Sequence, residues 1–110
     1  MNEQQALLAF AALSQQTRLN VLRALVVAGP EGMAAGEIAD MASVSPSNIS
    51  FHLKELERSG LIAVRRSSRS MFYSARFDAL GSLVEFLVKD CCSGHPNICA
   101  AFSKASISTT

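Results

Sequence analysis

With 110 residues the chain has room for one domain around one core and is too short for two. Hydrophobic residues make up 49% and charged residues 17%, which excludes a disordered segment and implies more apolar surface than a small monomer buries alone. The net charge of +1 excludes a generally polycationic binder, but it is unevenly spread. Lys54, Arg58, Arg65, Arg66, Arg69 and Arg76 against Glu55 and Glu57 make residues 54–76 a +4 segment, and the rest sums to −3. One basic segment in a near-neutral chain is the pattern of a docking surface.

No run approaches the roughly 20 apolar residues of a membrane span. The first residues, Met1-Asn-Glu-Gln-Gln5, lack the basic start of a signal peptide, so a cytoplasmic location and no membrane partner are expected. In a reducing compartment the three cysteines read as thiols or ligands rather than bridges.

In chain order, Glu3 to Leu13 reads as a short helix with Ala6, Leu7, Phe10, Ala11 and Leu13 on a face that packs on its own domain or on a partner. Ser14 to Thr17 reads as a break. A second helix then runs from Thr17 to Val27 with Leu19, Leu22, Leu25 and Val26, ended by Gly29-Pro30. Arg18 lies in its first turn, against the dipole preference, which a core-docking helix tolerates; a phosphate contact is the other reading. Gly29 to Met33 is turn chemistry. Ala34 to Ala42 is a short helix with Ile38 and Met41 inward, and Ser43-Val-Ser45 is a tight turn.

The stretch from Ser45 to Gly60 is the most informative in the chain. Ser45 is placed to cap a helix and Pro46 to start it, where a missing N–H costs nothing. Ile49, Leu53 and Leu56 form one apolar stripe, and Gly60 stands where a left-handed residue ends the helix. The other face offers Ser47, Asn48, Ser50, Phe51, Lys54 and Arg58. Lys54 and Arg58 repel along a helix, which makes sense opposite phosphates. Two helices joined by a tight turn, the second capped and basic, form a helix-turn-helix. Its second member is expected in a major groove, with Ser45, Ser47, Asn48, Ser50, Phe51 and His52 near the DNA.

Leu61 to Val64 and Met71 to Ala75 are β-prone runs around a basic tip, Arg65-Arg-Ser-Ser-Arg-Ser70. A hairpin after a helix-turn-helix is a winged helix. Arg66 and Arg69 at its tip suit phosphates or a narrow minor groove. Asp78 is expected to cap a last helix carrying Leu80, Leu83, Val84, Leu87 and Val88, with Phe86 off that stripe. That helix is therefore expected to bury two sides, one on the domain and one on a twin. The expected fold is mainly α with a small β-hairpin, a winged helix-turn-helix paired as a homodimer through its terminal helices. Residues 1–92 form the DNA-binding and dimerisation domain and residues 91–110 a C-terminal cysteine-containing tail.

These elements resemble the ArsR/SmtB family of small metalloregulatory repressors. The resemblance is carried by Leu13-Ser-Gln-Gln-Thr-Arg-Leu19, continued by Val21-Leu22, and by Ser45-Pro-Ser-Asn-Ile-Ser-Phe-His-Leu-Lys-Glu-Leu56. Gly60-Leu-Ile62 and the Arg66-to-Tyr73 wing complete it, over roughly residues 3–90. It implies a homodimer that occupies double-stranded operator DNA, an imperfect inverted repeat, and leaves when a soft metal or metalloid binds. The founding arsenic sensors carry cysteines at the start of the first helix of the helix-turn-helix. This chain has Met33-Ala-Ala-Gly-Glu37 there, without a thiol. Some arsenic-responsive members have a C-terminal cysteine trio, so the effector role carries over to Cys91, Cys92 and Cys99.

Thiolates select soft ions, and three sulfurs alone suit a pyramidal centre such as trivalent arsenic or antimony. Adjacent residues of a helix point apart, so Cys91 and Cys92 must leave helical geometry to share an ion, as Ser93-Gly94 and Pro96 allow. A site within one chain and a site across the dimer both stay open. His95 also permits a Cys3His set for zinc, with cadmium and lead ranked beside it below arsenic and antimony. Thiol oxidation sensing is a further alternative, and so is a set of plain cysteines. A small thiol enzyme ranks last: there is no Cys-x5-Arg loop, no strand-based Cys-x-x-Cys and no evident His–acid dyad. A constitutive DNA-binding protein without an effector is the remaining rival.

Overall fold

A computed structural model describes residues 1–89. Their elements are α1 (Glu3–Leu13), α2 (Gln16–Ala28), a 3-10 turn (Gly29–Glu31), β1 (Met33–Ala34), α3 (Ala35–Ala42), α4 (Pro46–Arg58), β2 (Ile62–Ser67), β3 (Ser70–Ala75) and α5 (Phe77–Val88). This is the expected winged helix-turn-helix, mainly helical, with one addition. The sheet has three antiparallel strands in the order β1-β3-β2, not the two of a bare hairpin. Ile62 pairs with Ala75 and Ser67 with Ser70, while Met33 pairs with Tyr73. Gly32 makes the third strand possible. It has a φ of +74°, and a Cβ there would run into the Tyr73 carbonyl.

The ends of the helices follow from their side chains. Asn2 Oδ1 accepts from the Gln5 N–H at 2.8 Å and Gln5 Oε1 accepts from the Asn2 N–H at 2.9 Å, a reciprocal cap on α1. Ser45 Oγ accepts from the Asn48 N–H at 3.3 Å, and Pro46 is the first residue of α4. Gly60, at φ +83°, takes the left-handed conformation that stops α4 and turns the chain into β2. Asp78 is not the cap of α5. The cap position is Arg76, whose guanidinium donates to Asp78 Oδ2 at 2.9 Å. That contact holds the Asp78 carboxyl below the usual carboxylate range.

The core is built from Val21, Leu25, Ile38, Ile49, Leu53, Leu56, Leu61 and Ile62, all fully buried. Among the described residues no polar or charged side chain is buried. The inward faces of the outer elements differ from expectation. On α1 the expected Ala6 is buried and Leu13 packs against the core, but Ala9 and Ala12 complete that side, while Leu7 is 61% exposed and Leu8 and Phe10 are also exposed. Small residues let α1 lie close to its neighbours, which leaves its bulky side chains outside. Met41 is exposed on α3, where Ala39 is buried beside Ile38. On α5 Leu83 is buried, Leu80 and Phe86 pack against the core, and Val84 and Leu87 face out at 51% and 59% exposure. Phe86 therefore belongs to the inward side of α5.

No helix of the described residues is long and apolar enough to cross a membrane. Cys91, Cys92, Cys99, His95 and the proposed 91–110 tail lie outside the described residues.

Candidate nucleic-acid interface

The helix α4 has two faces with opposite chemistry. Ile49, Leu53 and Leu56 lock one face into the core at 2% exposure or less, so the helix cannot rotate without exposing them. The other face presents Ser45, Ser47, Asn48, Ser50, Phe51, Lys54 and Arg58, all exposed. Ser45 Oγ serves the cap and lies 3.3 Å from Ser47 Oγ. The N-terminal turns thus offer short hydrogen-bonding groups at the positive end of the helix dipole, where phosphates and base acceptors are favoured. Lys54 stands one turn past Ser50. Arg58, about 16 Å from Ser47 along the axis, donates to Glu55 Oε2 at 3.0 Å, so its charge is partly matched within the helix.

His52 is not on this outward face. It is half-buried, and its Nδ1 lies 3.2 Å from Arg18 Nη1. Because the guanidinium can only donate, Nδ1 accepts and the ring proton sits on Nε2. Arg18 Nε also donates to the Ala12 carbonyl at 2.7 Å. Arg18 therefore ties the end of α1 to the middle of α4, which accounts for a cation in the first turn of α2. Its own N–H is capped by Gln15 Oε1 at 2.8 Å. Burial and then the Arg18 charge hold the His52 pKa below its ordinary value, keeping the ring neutral at pH 7. That ring meets Phe51 in a T-shaped contact, with centroids 5.6 Å apart and planes at 66°.

The wing supplies the second charged element. Arg66, near the end of β2, and Arg69, which forms the tip with Ser68 (φ +57°), are both exposed. Arg65 behaves differently. Its guanidinium donates to the Glu31 carbonyl at 3.1 Å and lies 4.8 Å from the centre of the Phe72 ring. It fastens the base of the wing to the turn after α2 and leaves Arg66 and Arg69 to reach outward. Neither the Arg65 nor the Arg18 role was visible in the sequence, because each joins residues 34 apart that only the fold brings near. The one signal was an arginine where the helix dipole disfavours it.

Comparison with known proteins bears on the fold that carries this surface. The family described as a helix-turn-helix domain matches residues 13–65. A Bacillus subtilis protein described as the uncharacterized HTH-type transcriptional regulator YceK is 38% identical over 69 residues, 63% of this chain and 68% of its own. The solved structure of an ArsR-like transcriptional regulator from Rhodococcus is 26% identical and superimposes with a TM-score of 0.69 over 92% of each chain. A homodimeric winged helix-turn-helix DNA-binding domain from Mycobacterium bovis shares the fold, at 24% identity and a TM-score of 0.64, over 84% of this chain and 85% of its own.

Proposed function

This chain belongs to the helix-turn-helix transcriptional regulators of the winged, ArsR-like type, and from that premise we propose that it is a homodimeric repressor released from its operator by trivalent arsenic or antimony. It is a DNA-binding regulator and not an enzyme. The observation that carries the DNA half is the exposed face of α4, held in register by three buried side chains and continued by an arginine-tipped wing. In a symmetric dimer the two copies of α4 sit about 34 Å apart and enter successive major grooves. Arg66 and Arg69 then lie against the flanking backbone or minor groove. The outward Val84 and Leu87 of α5 and Leu7 and Leu8 of α1 supply the apolar surface for the twin.

The effector half is supported by donor chemistry. Cys91, Cys92 and Cys99 give three soft sulfurs within nine residues, a set that prefers thiophilic ions over hard ones. The thiols begin three residues after Val88, where α5 ends, so a rearranged tail acts first on α5 and on the dimer surface it carries. Release requires a difference in effector affinity between the DNA-bound and free arrangements of the dimer. His95, between the thiols, favours a Cys3His set for zinc or cadmium as the second reading.

The test is a gel shift on the DNA upstream of the chain's own coding sequence, titrated with arsenite, antimonite, zinc and cadmium. Arsenite and antimonite are expected to free the duplex at concentrations where zinc does not. The double variant Cys91→Ser, Cys92→Ser is expected to bind equally well and to ignore arsenite. Loss of DNA binding in that variant contradicts the separation of roles.

A further inference from the structure

On a face otherwise made of serines, an asparagine and cations, one large apolar side chain stands out. Phe51 is 57% exposed, near the centre of the outward surface of α4, between Ser47 one turn before it and Lys54 after it. The hydrophobic effect gives no reason for a phenyl ring to stay in water on a helix whose apolar stripe is already complete in Ile49, Leu53 and Leu56. The ring is also oriented. Its neighbour is the His52 ring, edge to face at 5.6 Å, and His52 is held by Arg18, which is held in turn by the Ala12 carbonyl. A series of fixed contacts therefore runs from the end of α1 to an exposed aromatic in the middle of the candidate recognition face.

We infer that Phe51 is a specificity-determining residue that reads the 5-methyl group of a thymine in the major groove. This rests on the reading of α4 as the groove-entering helix. In that groove each base pair presents hydrogen-bonding edges, and thymine alone adds a methyl group, the one apolar feature a phenyl ring can recognise. Ser47, Asn48 and Ser50 on the surrounding turns address polar edges, and Lys54 addresses phosphate. The Phe51 ring, with no hydrogen-bonding atom, excludes water from one methyl. A ring already positioned loses little freedom on binding, so its burial is expressed as base preference. Arg18 and His52 act through Phe51 as positioning residues.

The experiment uses the full chain and duplexes that it enriches from a random-sequence library. In the enriched duplex each thymine is replaced in turn by deoxyuridine, which removes the 5-methyl group and leaves every hydrogen-bonding edge intact. One thymine in each half-site is expected to weaken binding about fourfold when its methyl is removed, the equivalent of one buried methyl group. Phe51→Ala is expected to bind the thymine and deoxyuridine duplexes alike, and Phe51→Leu to keep part of the difference. If the chain binds duplex with a salt-dependent affinity but no thymine methyl is coupled to Phe51, the inference is overturned and the DNA-binding reading stands. If the chain enriches no duplex and shows no salt-dependent binding, both fall. Phe51 lies outside the core, so equal melting temperatures of the variants confirm that the comparison concerns binding.

Discussion

The helices α4 and α5 both carry an apolar stripe, but they use it in opposite ways. In α4 the large apolar residues Ile49, Leu53 and Leu56 are all buried within the subunit, and what remains outside is polar except for Phe51 and the leading Pro46. In α5 Leu83 is buried while Val84 and Leu87 stand in solvent, and α1, which packs on α5, buries alanines and exposes Leu7 and Leu8. The first helix is complete within one chain. The second pair is not, and the difference separates a surface suited to a polar, charged partner from one suited to an apolar one.

The contrast is broken most severely from the α4 side. Leu53→Ala is expected to destabilise the subunit by about 2–5 kcal/mol, because it opens a cavity in the centre of the core. Denaturant unfolding measures this, and a loss below about 1 kcal/mol would mean α4 is not locked as described. On the α5 side, Leu87→Asp is expected to leave subunit secondary structure intact and weaken self-association at least tenfold, the effect of desolvating a charge in a symmetric contact twice. Sedimentation at several concentrations distinguishes this from unfolding. A variant that associates like the wild type assigns the outer face of α5 to something other than a twin.

Finer changes sharpen the polar side. Arg66→Ala and Arg69→Ala are each expected to weaken duplex binding across sequences and to lower the magnitude of the log–log salt slope by about one. Binding isotherms at several salt concentrations measure both. The smallest effect concerns pH. His52 has a folded pKa lowered by burial first and by Arg18 second, so the folded state binds fewer protons than the unfolded one. Its contribution to stability is complete above the ordinary histidine value of 6.5 and is lost as pH falls below it. Thermal melting from pH 7.5 down to pH 5 is expected to show this loss. Arg18→Met is expected to reduce it without removing it, since burial is the larger cause.

The parts legible in the sequence were those governed by local rules. Ser45-Pro46 set the start of α4, Gly60 set its end, and the spacing of Ile49, Leu53 and Leu56 gave its buried side. The arginine-rich tip between two β-prone runs gave the wing in the same way. What escaped depends on neighbours far along the chain. Two residues, Met33 and Ala34, have no periodicity of their own and become a strand only because Gly32 admits the Tyr73 backbone. Of the apolar face read on α1, Ala6 and Leu13 do turn inward, but close approach to the rest of the domain selects Ala9 and Ala12 in place of Leu7 and Phe10. His52, expected near the bases, is claimed by Arg18, which no helical spacing could reveal. For the candidate site, which polar positions of α4 face outward was readable, while the division between reaching out and holding in place was not.

Two complementary surfaces, one for DNA and one for a second subunit, must act together if the chain works as described. Sedimentation of the full chain with a fluorescent duplex from upstream of its own coding sequence tests this most directly. Two chains are expected on each duplex, with Leu87→Asp failing to form that complex at concentrations where the wild type is saturated. A stable complex of a single chain with the duplex, unaffected by Leu87→Asp, would contradict the pairing of the two surfaces.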